Sequence, residues 1–154
     1  MKTIKTFADE HGFEATDVWA FTAQWVNEMD VDQPLYAVLE SYRVMEENAI
    51  HERDTEAFMD YLAQCSWDVE QAGRQFADAF HGQWESLEEY AEQTIEDTGF
   101  MSLKAERTGE EVWLSYEDVL KFCRDNSLET PKPDMSVWES EYTVSRNGYI
   151  FASL

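Results

Sequence analysis

The sequence predicts an elongated α+β protein, in which a mostly helical N-terminal and central part precedes a small αβ module with a C-terminal β-hairpin. Apolar residues recur at helical spacing through most of the chain before Gly99. After Gly99 the sequence changes to short β-rich segments, and an Asn147-Gly148 pair typical of a type I′ turn stands near the end. We therefore expect three regions, which are 1–53, 54–99 and 100–154.

Helical spacing and capping residues predict five helices in the first two regions. One spans Ala15 to Met29, and Pro34 suits the first turn of the next, which runs through Met45. The remaining three are a helix capped by Thr55, a helix from Ser66 to Phe80, and a helix opened by the capping box of Ser86 and Glu89 that ends at Gly99.

The third region is expected to mix strands with one helix. Two short strands are predicted at residues 100–103 and 112–114, on either side of a turn at residues 107–109. A second capping box, Ser115 with Asp118, predicts a helix. The aromatic segments at residues 137–144 and 149–151 are predicted to pair as the closing hairpin.

The composition describes a folded and very acidic protein. Eleven Lys and Arg against 33 Asp and Glu give a formal net charge of −22, which repels nucleic acid and anionic membranes. Disorder is not expected, because 44% of the residues are hydrophobic. No signal peptide or apolar span is recognisable, and Cys65 and Cys123 form no CxxC pair, so we expect a cytoplasmic protein with reduced thiols.

Acidic residues are distributed unevenly along the chain. Neither residues 6–42 nor residues 75–103 contain a Lys or Arg. Like charges four residues apart destabilise a helix slightly. An acidic stripe without lysine therefore lowers the stability of its helix, and solubility alone does not require such a stripe. The stripe expected on the Ser86 helix consists of Glu85, Glu88, Glu89, Glu92, Glu96 and Asp97.

Three explanations of this charge remain open. Because duplex DNA carries one charge per ~1.7 Å, 22 negative charges equal about 37 Å of duplex, or roughly 11 base pairs. The acidic surface can therefore imitate DNA. Alternatively, it hydrates the protein at high salt, or it is the solvated surface of an ordinary acidic domain.

Motifs of catalysis and of cofactor binding are absent from the sequence. It contains no phosphate-binding loop, GxGxxG, GxSxG or HExxH, and its three histidines do not have zinc-ligand spacing with the cysteines. Asp30 and Asp32 resemble the start of a calcium loop, but neither the central Gly nor the closing Glu follows. We expect no enzyme, metal or cofactor. A hydrolase or metal-dependent enzyme on an acidic αβ scaffold is the alternative from another class.

Residues from about 56 to 154 resemble the ArdA antirestriction family of bacterial mobile elements and phages. The resemblance is carried by QFADAFHGQWESLEEYAE at residues 75–92, by WLSYEDVLKFCRD at residues 113–125 and by NGYIF at residues 147–151. Residues 1–53 show no such resemblance. The family-motif positions are Phe76, Gly82, Trp84, Tyr90 and Tyr116.

The resemblance implies a dimeric DNA mimic without catalytic residues or cofactor. Its surface carboxylates would replace DNA phosphates in the DNA-binding groove of a type I restriction-modification enzyme in the bacterial host, and it would not bind nucleic acid itself. An anti-CRISPR or other anti-defence inhibitor that uses the same mimicry on another target is the alternative. The expected phosphate surrogates are the six stripe residues together with Asp78, Glu110, Glu111, Glu117, Asp118 and Asp125.

Tryptophans are expected mostly in the core. This expectation covers Trp19, Trp25, Trp67, Trp84 and Trp138. Because Trp is enriched at interaction hot spots, an exposed one is expected at a dimer seam or at a contact with the target.

Overall fold

The chain has an α+β fold in which helices predominate. The computed structural model describes residues 3–28, 35–98, 100–104, 111–130 and 132–154. The chain divides into two compact units, Met1–Phe80 and His81–Ser153. This division does not fall at residues 53 and 99, because α4 (Thr55–Gln64) packs on α5 (Val69–Ala79) and α5 packs on the preceding α3 (Leu35–Glu47).

The N-terminal unit is helical in its described residues. Helix α1 (Ile4–His11) packs on α2 (Ala15–Glu28), which packs on α3, and a 3₁₀ turn at Glu52–Asp54 leads into α4. Phe7, Ala8 and Val18 form one buried cluster of this unit. Phe58 and Phe76 meet edge to face with ring centroids 5.7 Å apart, and this contact joins α4 to α5.

An arginine surrounded by carboxylates links α3 to α5. Arg43 Nε donates to Glu40 and Nη1 donates to Glu47, each at 2.7 Å, while Nη2 donates to Glu70 on α5. Partial burial alone would lower the pKa of Arg43, but the three carboxylates raise it above its usual range. The cation is therefore used inside the unit, where it offsets part of the local negative charge.

The C-terminal unit combines helices with two small sheets. Strand β1 (Phe80–Gln83) precedes α6 (Leu87–Thr98), and β2 (Phe100–Lys104) pairs antiparallel with β3 (Glu111–Leu114). Helices α7 (Tyr116–Asp125) and α8 (Met135–Glu141) follow, and both contact α6. Strands β4 (Tyr142–Val144) and β5 (Tyr149–Ala152) are antiparallel, and the three-stranded sheet has the order β1-β5-β4.

Helices α2 to α7 and strands β2 and β3 confirm the elements predicted from local signals. The side chains of Ser86 and Ser115 accept from the N–H groups of Glu89 and Asp118, as the capping boxes predicted. Two predicted starts were wrong. Asp68 rather than Ser66 caps α5, and Thr55 lies inside α4, where its hydroxyl donates to the Glu52 carbonyl at 2.6 Å. Gly99, the turn at residues 107–109 and Pro131 lie outside the described residues.

The end of the chain differs from its prediction in two ways. Residues 135–141 form α8 rather than a strand, because Asp134 caps this helix and Trp138 is buried in the core. The β4–β5 connection is not a type I′ turn, since of the pair Asn147-Gly148 only Gly148 has a positive φ (+83°) and its N–H donates to the Ser145 carbonyl at 2.9 Å. Strand β1, at residues where a break was expected, was not predicted.

We predict that Gly73→Ala destabilises the N-terminal unit, although alanine is the better helix former. A Cβ at residue 73 would overlap Val44 Cγ1 on α3 and lie 2.8 Å from Asn48 Nδ2. Overpacking of this kind costs about 1–3 kcal/mol in the free energy of unfolding, measured by urea denaturation. In a Val44→Ala background the same change should cost at least about 0.5 kcal/mol less, because the overlapping methyl group is gone. A gain in stability from Gly73→Ala would contradict this packing.

We predict a larger loss from Gly148→Ala than from Gly12→Ala. Both glycines have positive φ, +83° and +73°, so alanine is strained at either. At residue 148 the new Cβ would also lie 2.7 Å from the Trp84 carbonyl oxygen, whereas nothing lies within 4 Å at residue 12. We expect losses of about 2–4 kcal/mol and about 1 kcal/mol respectively in urea denaturation. Equal losses would mean that the close approach to Trp84 is relaxed at no cost.

Candidate functional site

Helix α6 turns one face inward and an acidic face outward. Leu87, Tyr90, Ala91 and Ile95 are buried in the main core of the C-terminal unit. Successive residues are about 100° apart around a helix, so these four side chains occupy one side of α6. The packing of this side fixes the rotation of the helix and thereby decides which residues face solvent.

Tyr90 anchors the buried face of α6 in a group of aromatic rings. Its hydroxyl lies 2.9 Å from His81 Nδ1 of β1, to which it is hydrogen-bonded. Its ring meets Trp84, Trp138 and Tyr142 at centroid distances of 5.3, 5.8 and 5.5 Å. Burial raises the pKa of Tyr90, and the neighbouring Tyr142 adds to the increase, so the hydroxyl keeps its proton. Residues that precede α6 (His81 and Trp84) and residues that follow it (Trp138 and Tyr142) therefore hold its buried side in place.

The outward face of α6 carries four carboxylates side by side. Glu88, Glu89, Glu92 and Glu96 are all exposed, and the helical period places them within about 100° of arc. Glu85, just before the helix, is exposed as well. All six predicted stripe residues, Asp97 included, are therefore exposed and can meet a partner.

Asp97 does not belong to this face. Its position on the helix is about 80° from Glu89, on the side away from the other three stripe glutamates. Its Oδ1 also accepts a hydrogen bond from Gln93 Nε2 at 3.1 Å. The helical period of 100° per residue already separates Asp97 from the other residues, so the predicted stripe was one residue too wide. We call Glu85, Glu88, Glu89, Glu92 and Glu96 the α6 acidic face.

The charge density of α6 is comparable to that of one DNA strand. Five acidic residues occur from Glu88 to Asp97, which is about 14 Å of helix axis at 1.5 Å per residue. One charge therefore occurs about every 3 Å along the helix, against ~3.4 Å along a single strand of duplex DNA.

Helix stability does not explain the acids at the end of α6. Glu88 and Glu89 lie in the first turn, where carboxylates interact favourably with the helix dipole. Glu96 and Asp97 lie in the last turn, where the dipole is unfavourable to them, and that turn has no basic residue. Glu92 and Glu96 also repel each other at i,i+4. The negative charges of Glu96 and Asp97 therefore lower the stability of α6.

Helix α7 has a different charge pattern, although three predicted surrogates lie on it. Glu117, Asp118 and Asp125 are exposed, but Lys121 and Arg124 lie on the same side of the helix and are exposed too. The acids of the first turn and the arginine of the last turn all favour the helix dipole. Helix stability therefore explains the charges of α7 except that of Asp125, which lies in the last turn and opposes the dipole, and these charges do not form an uninterrupted acidic surface.

The remaining predicted surrogates lie in the other unit or outside the described side chains. Asp78 is exposed on α5 in the N-terminal unit. Glu111 begins β3, whose side chains are outside the description, and Glu110 lies outside the described residues. The α6 acidic face is thus the part of the predicted surface that the structure supports as a group.

Four residues of the predicted family motif lie in the C-terminal unit, and the fifth, Phe76, lies in the N-terminal unit. Phe76 stacks on Phe80 with centroids 5.0 Å apart, and Tyr116 packs against the core that contains Tyr90. Gly82 has a φ of +89°, which suits glycine. The indole N–H of Trp84 donates to the His81 carbonyl at 3.0 Å, and the backbone N–H of Trp84 donates to Gly148 at 2.8 Å. Trp84 and Tyr116 thus pack with Tyr90 in the core that holds α6.

The expectation for the tryptophans was wrong at Trp19, which is 59% exposed on α2. Trp138 is buried as expected, while Trp25, Trp67 and Trp84 are partly buried. Helical periodicity indicated correctly that Val18 faces inward, but its neighbour Trp19 then has to face outward.

A cleft in the N-terminal unit is the feature that sequence analysis missed. It lies between α2 and α3 and reaches the 3₁₀ turn before α4. The sequence indicates one wall of this cleft, because Asp17, Phe21 and Trp25 follow each other at four-residue spacing and so lie on one side of α2. Trp25 was expected mostly in the core, and no cleft was predicted beside it.

The described residues contain neither a metal-binding cluster nor a membrane-spanning helix. Among the described residues, no three His, Cys, Asp or Glu side chains come together as metal ligands. Within the same part of the chain no helix has the length and apolar character needed to cross a membrane. Cys65 and Cys123 are free thiols.

Comparisons with known proteins returned no match. Neither a protein-family model, nor a curated protein, nor a solved structure matches this chain. The resemblance to the ArdA family therefore stays a prediction, and the functional argument depends on the residues and geometry described above.

We predict opposite effects on stability from charge reversal at the two ends of α6. Glu96→Lys should raise the free energy of unfolding by about 0.3–1 kcal/mol, because it favours the dipole and pairs with Glu92. Glu88→Lys should lower the same quantity by a smaller amount, because the cation in the first turn opposes the dipole while its i,i+4 contact with Glu92 offsets part of that loss. Urea denaturation at low ionic strength measures both. Stabilisation by both changes would show that general charge repulsion, rather than position on α6, controls the effect.

Proposed function

We propose that this chain is an acidic DNA-mimic antirestriction protein of the bacterial cytoplasm. It occupies the DNA-binding groove of a type I restriction-modification enzyme and thereby blocks restriction and modification. The observation that supports this proposal best is the α6 acidic face, which is exposed, contains no basic residue and ends in Glu96, whose carboxylate opposes the helix dipole.

The proposed mechanism is electrostatic competition with DNA. Each carboxylate of the α6 acidic face replaces a phosphate and meets a Lys or Arg of the enzyme's groove. Complementary charge speeds the encounter between inhibitor and enzyme and favours this enzyme over other partners. Dissolved salt screens the charges and weakens the attraction. The inhibitor itself needs no catalytic residue, metal or cofactor, and it does not bind nucleic acid because it carries the same sign of charge.

The binding energy in this mechanism is spread over many contacts. Exposed ion pairs contribute up to ~1 kcal/mol each, so no single carboxylate dominates. A homodimer, which the family resemblance implies, would present two copies of the α6 acidic face. The exposed Trp19 is then a candidate for the dimer seam or for contact with the enzyme, since Trp is enriched at hot spots.

The test is displacement of DNA from a type I methyltransferase core. Purified protein is titrated into the core bound to labelled duplex, at two salt concentrations. We expect displacement near equimolar protein, and weaker displacement as salt rises. Changing all five residues of the α6 acidic face to Gln should weaken displacement at least about tenfold, whereas Glu92→Gln alone should change it less than about threefold.

A control variant removes the same charge elsewhere. Five exposed acids outside the predicted surrogates are changed to Asn or Gln, namely Asp9, Glu14, Glu129, Glu139 and Glu141. We expect this variant to displace DNA within about twofold of the unmodified protein, if position matters more than net charge. Full displacement by the α6 variant would exclude mimicry by this face. No displacement by the unmodified protein would exclude this target and favour the alternative of another anti-defence target.

A further inference from the structure

The cleft of the N-terminal unit has aromatic and aliphatic walls. Its volume is about 480 Å³, within the range of ligand-binding pockets. Phe21 and Trp25 contribute from α2, Tyr42 and Met45 from α3, and Ile50 from the segment after α3. Phe21 and Trp25 are partly buried, so their ring surfaces are available to a ligand that enters the cleft.

Tyr42 is held firmly in this wall. Its ring meets Phe13 and Phe21 edge to face at centroid distances of 4.9 and 5.4 Å. A ring fixed on two sides offers a preorganised surface, because little conformational entropy is lost when a ligand binds against it.

Three carboxylates line the cleft beside these rings. Asp17, Glu46 and Glu52 are exposed, and none of them forms an ion pair with another described residue. Burial raises the pKa of the Tyr42 hydroxyl, and the negative charges of Glu46, Asp17 and Glu52 raise it further. All three carboxylates thus act electrostatically on the same wall of the cleft.

This combination fits a cation that has an apolar stem. Aromatic faces attract a cation, and partial desolvation strengthens the attraction to the carboxylates. Arginine fits better than lysine, because its planar guanidinium stacks on rings, is weakly hydrated and binds carboxylates through two parallel hydrogen bonds. A lone metal ion would make no use of the aromatic and aliphatic walls.

We propose that this cleft binds an arginine side chain, together with an adjoining apolar residue, from a protein partner. The apolar stem of the arginine packs against the rings and Met45, while its guanidinium pairs with Glu46 and Glu52. The cleft lies in the N-terminal unit, so this contact is separate from the α6 acidic face and goes beyond the proposed DNA mimicry.

Peptide binding to the full chain tests the inference without any restriction enzyme. The probe is acetyl-Leu-Arg-Leu-amide, followed by calorimetry and by the indole N–H signal of Trp25 in ¹⁵N-labelled protein. We expect saturable binding that shifts the Trp25 signal. A peptide with neutral citrulline in place of arginine should bind at least about tenfold more weakly, because it loses the charge and keeps the shape.

Matched variants locate the site. The variant Asp17→Asn/Glu46→Gln/Glu52→Gln should bind the arginine peptide at least about tenfold more weakly, while Glu129→Gln/Glu139→Gln/Glu141→Gln removes the same charge outside the cleft and outside the α6 acidic face and should stay within about twofold. All six side chains are exposed, so both variants should keep the circular dichroism of the unmodified protein. Equal loss in both variants would overturn the site in favour of a long-range effect of net charge.

Two further outcomes would also overturn the proposal. Equal affinity for the citrulline peptide would mean that the cleft selects apolar surface rather than a cation. Binding of free ethylguanidinium as tightly as the peptide would identify the cleft as a site for a small organic cation rather than for a protein segment. Because no DNA or enzyme is present, neither outcome bears on displacement by the α6 acidic face.

Discussion

The burial of Tyr90 is the constraint on which the C-terminal unit depends. Its ring contacts Trp84, Trp138 and Tyr142, and its hydroxyl is bonded to His81, so residues far apart in the sequence converge on one side of α6. Once that side is fixed, the other side has to face water, and it consists of carboxylates. An aromatic core and an acidic surface are therefore two sides of one helix, and the first determines the orientation of the second.

Local signals in the sequence predicted most elements correctly. Capping residues act within three positions of themselves, and Ser86 and Ser115 cap their helices as expected. Strands β2 and β3 were also recognisable, because β-rich residues flank a turn signal. Exposure of the five residues of the α6 acidic face followed from the helical period and the position of the apolar residues.

What the sequence did not reveal depends on contacts between distant residues. Residues 137–144 have high β-propensity, yet burial of Trp138 and the cap at Asp134 make the first part helical. The cleft beside Tyr42 needs α2, α3 and the 3₁₀ turn at once, so no single segment indicates it. Such features are set by tertiary packing, and single-segment patterns do not contain them.

The dispersal of charge over the α6 acidic face has a consequence for mutational tolerance. Each of its carboxylates is exposed, and the loss of any one leaves four neighbours that produce nearly the same potential. Tyr90 and Gly148 have no such redundancy, because one is packed on several sides and the other occupies a conformation that suits glycine alone. A survey of single substitutions would therefore detect the residues that pack α6 in place and would miss the exposed carboxylates of the α6 acidic face. Only combined substitutions expose a surface whose effect is collective.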